Sequence, residues 1–256
     1  MPMLLFNIIF PYKFSGLLLS PRKSKIYLGL NRLNILKSKY CSSIGVLDKF
    51  SYDYVEKYQK NVVGFPDFAI KTRPNNKYEL SLAIKRKACQ RKIISLLGAL
   101  DERKGYKTLI EASKILPRDK YFFVLAGKSF MSKDIENSIQ KTFEENDNGI
   151  FDGTYIPSEE DFDQLVLISD VIFAAYINFS QSSNMFAKAS LYKKPLIVSK
   201  GYYMEEVLSK YNLGESIEQR SAQECAKAIK NLCRVNTNVY GWEEYLKDNS
   251  IDCLKN

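Results

Sequence analysis

The sequence predicts an α/β fold built on a doubly wound parallel sheet, and three observations support this prediction. From residue 92 onward, short apolar runs alternate with amphipathic segments about every 20 to 30 residues, which is the spacing of βαβ units. The segments between the runs have helical periodicity. Hydrophobic residues make up 45% of the 256 residues, which is enough for a packed core. We therefore place the doubly wound domain at residues 88–235.

The predicted strands are short apolar runs that end at polar residues or glycine. They are KIISLLG (92–98), YFFVLAG (121–127), GIFDG (149–153), DVIFAAY (170–176), PLIVS (195–199) and GESIE (214–218).

The predicted helices lie between these strands. The residues that share one helix face are Leu109, Ala112 and Leu116 in the segment 107–116, and Phe162, Leu165 and Ile168 in the segment 160–169. Ser158 with Asp161, and Ser221 with Glu224, have the spacing of capping boxes at helix starts. The stretch NVYGWEEYLKD predicts one further helix, in a C-terminal tail at residues 236–256.

The first 87 residues predict a partial α/β segment that precedes the main domain. Residues 38–68 indicate strand, helix and strand, and the charged, irregular stretch 70–92 is the predicted linker. The apolar N-terminus is interrupted by Pro11, Lys13 and Gly16 into runs shorter than the ~20 residues of a membrane-spanning helix. Neither a transmembrane helix nor a signal peptide is predicted, and one or two strands are the simpler interpretation.

Composition excludes several kinds of chemistry. The chain has no histidine, so general-base catalysis by histidine and Ser-His-Asp triads are excluded. Its five cysteines form no close CxxC pair, so neither a zinc site nor a disulfide framework is indicated, and a reduced, cytoplasmic location is expected. The net charge of +9 is spread along the chain without a basic block, so we expect no nucleic-acid partner.

The first motif is SLLGALDERKGYKTLIEA, residues 95–112. A strand ends at Gly98, and Lys104 precedes a helix, so backbone N–H groups and an ammonium meet at the carboxyl edge of the sheet, where such sheets bind ligands. The alternative is an ordinary turn with a solvated charged run, and for the motif alone this alternative is favoured.

The second motif is QSSNMFAKASLYKKPLIVSK, residues 181–200. Met185, Ala189 and Tyr192 share a helix face that packs on the sheet, and small polar residues precede that helix. The free N–H groups at its start can bind an anion, or Ser183 or Asn184 can simply cap it. Lys188 either adds a second charge to a bound phosphate or packs its stem and extends its head into water.

Together, the motifs resemble the C-terminal, nucleotide-sugar-binding domain of GT-B fold glycosyltransferases. The resemblance is to the large retaining family that includes glycogen synthase, sucrose synthase and many polysaccharide and lipid glycosyltransferases. It extends from about Ser42 to Leu232, through VGFPDF, LLGALDERKGYKTLIEA, FFVLAGKS, GIFDGTYIPSEEDFDQLVLISDVIFAAY, QSSNMFAKASLYKKPLIVS and GYYMEEVLSKYNLGESI. It implies that residues 1–87 are the remnant of an acceptor-side domain plus a linker, and that residues 88–235 form a Rossmann-like donor domain.

The resemblance also implies roles for individual residues. The residues implied to contact the donor phosphates are Gly98, Lys104, Gln181, Ser182, Ser183 and Asn184. Those beside the nucleobase are Lys128, Gly153, Thr154, Tyr155 and Ile156. Ser180 and Lys188, beside the donor sugar and ribose, stand where family members often carry glutamates, and Ala99 stands where an arginine is usual. No catalytic residue is identified.

The expected activity is transfer of a hexose from a nucleoside diphosphate sugar to a glycan or lipid acceptor, with retention of configuration and without a metal or another cofactor. The alternative is a non-catalytic or truncated relative that binds nucleotide or glycan, or that pairs with another subunit. The apolar segment Leu4 to Leu19 adds the expectation of self-association or of peripheral attachment to the inner membrane face.

Overall fold

Six parallel strands form the main sheet in a computed structural model that describes residues 7, 10–18, 26–27, 30–47, 49–234 and 240–250. The chain divides into two compact units. The first extends to Asp67 and includes Gln181–Ser183, and the second comprises Phe68–Ser180 and Asn184–Asn249. The predicted domain boundary at residues 87 and 88 therefore lies inside the second unit.

The first unit contains a small parallel sheet. The strands of this unit are β1 (Phe14–Leu18), β2 (Ile26–Tyr27), β3 (Leu30–Asn31), β4 (Cys41–Val46) and β5 (Val62–Gly64), and its helix α1 lies at Lys49–Val55. Strands β1, β4 and β5 form a three-stranded parallel sheet in that order, and β2 pairs antiparallel with β3. The predicted strand, helix and strand of residues 38–68 are thus confirmed.

The second unit contains the predicted doubly wound sheet. Its strands are β6 (Lys92–Leu97), β7 (Tyr121–Ala126), β8 (Gly149–Asp152), β9 (Val171–Ala174), β10 (Leu196–Ser199) and β11 (Gly214–Ile217). They are hydrogen-bonded in the order β11-β10-β9-β6-β7-β8, all parallel. All six predicted strands are present, each within one or two residues of its expected ends. The predicted α/β class is confirmed.

Helices cover both faces of this sheet. They are α2 (Glu79–Ala88), α3 (Tyr106–Ile115), α4 (Lys133–Asn146), α5 (Glu159–Ile168), α6 (Met185–Leu191), α7 (Tyr203–Tyr211), α8 (Ala222–Leu232) and α9 (Trp242–Asp248). Core residues of α3, α4 and α8 pack on one face, and those of α2, α5, α6, α7 and α9 pack on the other. The residues of β6 alternate between the two cores, which is the arrangement that a doubly wound sheet requires.

The prediction of an irregular linker at residues 70–92 is wrong for its second half. Helix α2 occupies Glu79–Ala88 and buries Ser81, Ile84 and Ala88, which share one face at helical spacing. Three consecutive cations, Lys85 to Lys87, lie in its last turn, where they face the negative end of the helix dipole. Only two of the three buried residues are apolar, so the charged residues obscured the periodicity.

The predicted helix starts at Ser158 and Ser221 are confirmed. The side chain of Ser158 accepts a hydrogen bond from the backbone N–H of Asp161, and Ser221 accepts one from that of Glu224. The helix predicted from NVYGWEEYLKD is α9. Cys41, Cys89, Cys225 and Cys233 are free thiols, and Cys253 lies outside the described residues.

Among the described residues, no helix has the length and apolar character needed to cross a bilayer. Part of the apolar segment Leu4 to Leu19 lies outside the described residues. Tyr12 and Leu17, which belong to its described part, are exposed.

Candidate functional site

The order of the sheet reverses between β6 and β9. The chain runs from β6 outward through β7 to β8 on one side, and from β9 outward through β10 to β11 on the other. At such a switch point the two adjacent strands lead to loops that turn toward opposite faces, and a crevice forms at their carboxyl ends. The loops after Leu97 and after Ala174 therefore border the crevice.

Local geometry directs the loop after β6 into this crevice. Gly98 has a left-handed φ of 97°, and a single 3₁₀ turn follows at Glu102–Lys104. The Asp101 carboxylate accepts a hydrogen bond from the backbone N–H of Lys104 at 3.2 Å, which closes the turn. Gly105, also left-handed at a φ of 71°, then leads into α3. The charged run that the sequence left open as a solvated turn thus has a defined conformation.

The side chain of Lys104 lies against Tyr176, which follows β9. Its Nζ is 2.9 Å from the Tyr176 hydroxyl and 4.1 Å from the centre of that ring. No carboxylate of the described residues forms an ion pair with Lys104, whereas the neighbouring Arg103 and Lys107 pair with Asp101 and Glu102. Lys104 therefore presents a positive charge without an internal counterion at the switch point.

Backbone and aromatic contacts hold the two loops together. The N–H of Ile177 donates to the carbonyl of Arg103 at 2.7 Å, and the guanidinium of Arg103 lies 5.0 Å from the Phe179 ring centre. The Ser199 hydroxyl donates to the carbonyl of Tyr176 at 2.7 Å. Sequence reasoning missed Tyr176 as a site residue, although an aromatic residue at the carboxyl end of a buried strand was a usable signal.

The predicted nucleobase residues form a continuous strip with Gly98. The N–H of Leu100 donates to the carbonyl of Lys128 at 2.9 Å, and the N–H of Ser129 donates to the carbonyl of Gly153 at 3.0 Å. The structure therefore brings together Gly98, Lys128 and Gly153 across the ends of β6, β7 and β8.

One carboxylate holds Thr154 of this segment. Asp152 accepts hydrogen bonds from the backbone N–H and the hydroxyl of Thr154, at 2.9 and 2.5 Å. The Tyr155 side chain is 72% exposed, whereas Ile156 is buried. An exposed aromatic ring beside ordered backbone groups is available for stacking on a ligand.

The loop before α6 is divided between the two units. Gln181–Ser183 belong to the first unit, where the Ser182 hydroxyl donates to the Asp67 carboxylate at 2.5 Å. Burial raises the pKa of Asp67, and the hydrogen bond from Ser182 offsets part of that rise. Ser180 and Asn184 belong to the second unit, and the Asn184 side chain makes no capping hydrogen bond. The proposal that Asn184 caps this helix through its side chain is therefore wrong.

Lys188 is buried in a network of carboxylates. Its side chain is 6% exposed, and its Nζ lies 2.5 Å from Asp163 and 2.7 Å from Glu159, both on α5. Asp163 also accepts hydrogen bonds from the backbone N–H and hydroxyl of Thr72, at 3.1 and 2.7 Å, and from the Tyr192 hydroxyl at 2.8 Å. The alternative in which the head of Lys188 reaches water is wrong, and its charge already has two counterions.

The network shifts the pKa values of its members. Burial alone would raise the pKa of Asp163, but hydrogen bonds from Lys188, Thr72 and Tyr192 outweigh burial and hold that pKa below its ordinary value. Burial alone would lower the pKa of Lys188, but the bonds to Asp163 and Glu159 raise it. Burial and the bond to Asp163 raise the pKa of Tyr192. The ion pair is thus maintained across the neutral range.

The arrangement suits anion recognition. It combines an ammonium that has no counterion among the described residues, ordered backbone groups and an exposed aromatic ring along one sheet edge. Among the described residues, no group of three Cys, Asp or Glu side chains is placed to hold a metal ion.

Several solved structures share this fold at low sequence identity. HepE of Anabaena, crystallised with UDP and glucose, has a TM-score of 0.73 and 13% identity over 98% of this chain and 71% of its own. WaaG, a glycosyltransferase involved in lipopolysaccharide biosynthesis, has a TM-score of 0.62 and 14% identity over 81% of this chain and 59% of its own. The present chain thus spans less than two thirds of the length of WaaG.

A third similar structure is a single domain. The C-terminal domain of the group 1 glycosyl transferase LpcC from Francisella tularensis has a TM-score of 0.53 and 16% identity, over 68% of this chain and 93% of that domain. No curated protein matches the chain significantly in sequence. The family model described as "Glycosyl transferases group 1" matches residues 79–245, about two thirds of the chain. The chain belongs to the group 1 glycosyl transferase family.

Proposed function

We propose that this chain is a glycosyltransferase, or the donor-binding part of one, that moves a hexose from a nucleoside diphosphate sugar to a glycan or lipid acceptor. The main support is the position of Lys104, whose ammonium stands at the switch point of the sheet without a carboxylate partner among the described residues. A cation held by a neutral hydroxyl and a ring face retains its full charge for a ligand. The donor diphosphate is the anion that this charge would meet.

The remaining parts of the proposed site follow the strip across the strand ends. Lys128, Tyr155 and the backbone from Gly153 to Ile156 would border the nucleobase. The N–H groups of Gln181 to Asn184 would meet the distal phosphate, with Ser180 beside the transferred sugar. UDP is the first nucleotide to test, because HepE was crystallised with UDP and glucose.

In the proposed reaction, the site stabilises the negative charge that develops on the leaving diphosphate. Fixed donors that face this charge need no reorganisation during the reaction, so they stabilise the transition state more than water would. We propose retention of configuration and no metal requirement, in line with the family that the motifs resemble.

A second candidate function is nucleotide or glycan binding without transfer. It is favoured by Ala99, which offers no cation beside the phosphates, and by Lys188, whose charge is matched by Asp163 and Glu159. Such a chain would bind nucleotide or glycan by itself, or pair with another subunit. The apolar segment Leu4 to Leu19 adds attachment to an anionic membrane surface, on the cytoplasmic side, as a further proposal.

Thermal melting with and without ligands tests the donor site. UDP should raise the melting temperature while uridine does not, and a ligand at about 100 times its Kd contributes roughly 2.7 kcal/mol to the free energy of unfolding. If UDP, ADP and GDP all leave the melting temperature unchanged, the donor-site proposal is wrong. Release of UDP from UDP-glucose by the purified protein separates transfer from binding alone.

A further inference from the structure

Glu159 is an exposed carboxylate that a buried lysine holds in place. Its side chain is 71% exposed, while the Lys188 side chain that contacts its Oε2 at 2.7 Å is only 6% exposed. An exposed glutamate usually samples many rotamers, since fixing a long side chain costs conformational entropy. Here the partner is fixed, so the carboxylate is held near one position.

The lysine is fixed because its other partner is fixed. Asp163 is fully buried and accepts hydrogen bonds from Thr72 and Tyr192 in addition to that from Lys188. Lys188 cannot follow Glu159 into solvent without leaving Asp163 with an uncompensated buried charge. Lys188 is therefore an anchor, and among the described residues Glu159 has no other side-chain partner.

The chain places Glu159 at the same sheet edge as the predicted nucleobase segment. Helix α5 begins at Glu159, three residues after Ile156, at the end of the loop that leads from β8 through Gly153 to Ser158. Ser158 caps this helix, so the first turn that carries Glu159 is well defined. A ligand that lies on Gly153 to Ile156 therefore has Glu159 beside it.

The chemistry of a carboxylate limits what it can bind there. An ionised carboxylate only accepts hydrogen bonds, so it repels a diphosphate and attracts hydroxyl donors. In a nucleoside diphosphate sugar, the hydroxyl donors nearest the base are those of the ribose. We infer that Glu159 accepts hydrogen bonds from the ribose hydroxyls of the donor and selects ribonucleotides over deoxyribonucleotides, with Lys188 as its positioning residue. This inference rests on the proposed function.

Calorimetric titration with matched nucleotide pairs tests the inference. The probes are UDP, ADP and GDP, each compared with its 2′-deoxy form, against the wild type, Glu159→Ala and Glu160→Ala. Glu160 is the matched control, because it is the neighbouring exposed glutamate and no side-chain contact of the described residues involves it. In the wild type, the preferred ribonucleotide should bind about tenfold or more tightly than its deoxy form, the scale of a hydrogen bond to a charged group.

The variants separate this inference from the proposed function. Glu159→Ala should reduce the ribo-to-deoxy ratio to about twofold or less while deoxynucleotide affinity stays unchanged or rises, and Glu160→Ala should keep the wild-type ratio. If Glu159→Ala is unstable, Glu159→Gln preserves its shape and should still lower the ratio at least about threefold. Tight nucleotide binding with no ribose preference overturns the inference and leaves the proposed function intact. No binding of any nucleotide overturns both.

Discussion

Lys104 and Lys188 look alike in the sequence but differ in their surroundings. Each stands at or near the start of a helix that follows a buried strand, and each was predicted beside the donor. Among the described residues, the Lys104 ammonium has the hydroxyl and ring of Tyr176 as its polar and aromatic partners, whereas that of Lys188 contacts the carboxylates of Asp163 and Glu159. The first charge is available to a ligand, and the second belongs to the internal structure. The availability of a charge therefore depends on its partners, which helix position alone does not reveal.

The largest expected difference between the two regions is in stability. Asp163→Ala should lower the free energy of unfolding by about 3–5 kcal/mol, because it removes the buried counterion of Lys188, which keeps only the exposed Glu159, and the shared acceptor of Thr72 and Tyr192. Lys104→Ala should cost only about 1 kcal/mol, since the hydrogen bond from its ammonium to the Tyr176 hydroxyl and the ring contact are partly exposed to water. Urea denaturation of both variants measures the difference. Equal losses would contradict the division into a structural and a ligand-directed lysine.

A second difference is that the backbone itself positions Lys104. A Cβ on Gly105 would lie 2.5 Å from the carbonyl oxygen of Ala175, at a left-handed φ of 71°. Gly201 has a similar φ of 80° but open space where the Cβ would be. Gly201→Ala should therefore cost about 1 kcal/mol from backbone strain alone.

Gly105→Ala should cost about 1–3 kcal/mol more than Gly201→Ala, because the loop after β6 must also move away from β9. Chemical denaturation of the pair provides the comparison. If the two variants are equally stable, close contact between these loops is not required for the position of Lys104.

The pH dependence of stability sharpens the account of the Lys188 region. The folded-state pKa of Asp163 is below its ordinary value, so its contribution is present above about pH 3.9 and is lost as the pH falls through the folded pKa. The folded-state pKa of Lys188 is raised, so its contribution is present below about pH 10.4 and is lost as the pH rises through the folded pKa.

The stability difference between the wild type and Asp163→Asn should therefore be constant from about pH 5 to pH 9 and shrink outside that range. Denaturation midpoints of the two proteins across pH measure it. A difference that disappears near pH 7 would show that the pair is not ionised as described.

The sequence predicted the sheet well and the partners of its side chains poorly. Apolar runs such as YFFVLAG predict buried strands, because a strand that is covered on both faces consists almost entirely of apolar residues. The partners of Lys188 could not be predicted in this way. Asp163 lies 25 residues before it, and Thr72 lies 91 residues before Asp163, so packing of α5 and α6 with a distant segment decides the contact. Helix α2 was missed for a local reason, since charged residues obscured its buried face.

The central claim, that the charge of Lys104 serves a donor diphosphate, is tested most directly by titrating UDP into two lysine variants. Lys107 is the matched control, because it follows Lys104 by one helical turn and is paired with Glu102 at 3.0 Å. Lys104→Met should weaken UDP binding about ten- to a hundredfold, the scale of a hydrogen bond to a charged group, while Lys107→Met changes it by less than about twofold. Equal UDP affinity for Lys104→Met and the wild type would contradict the account.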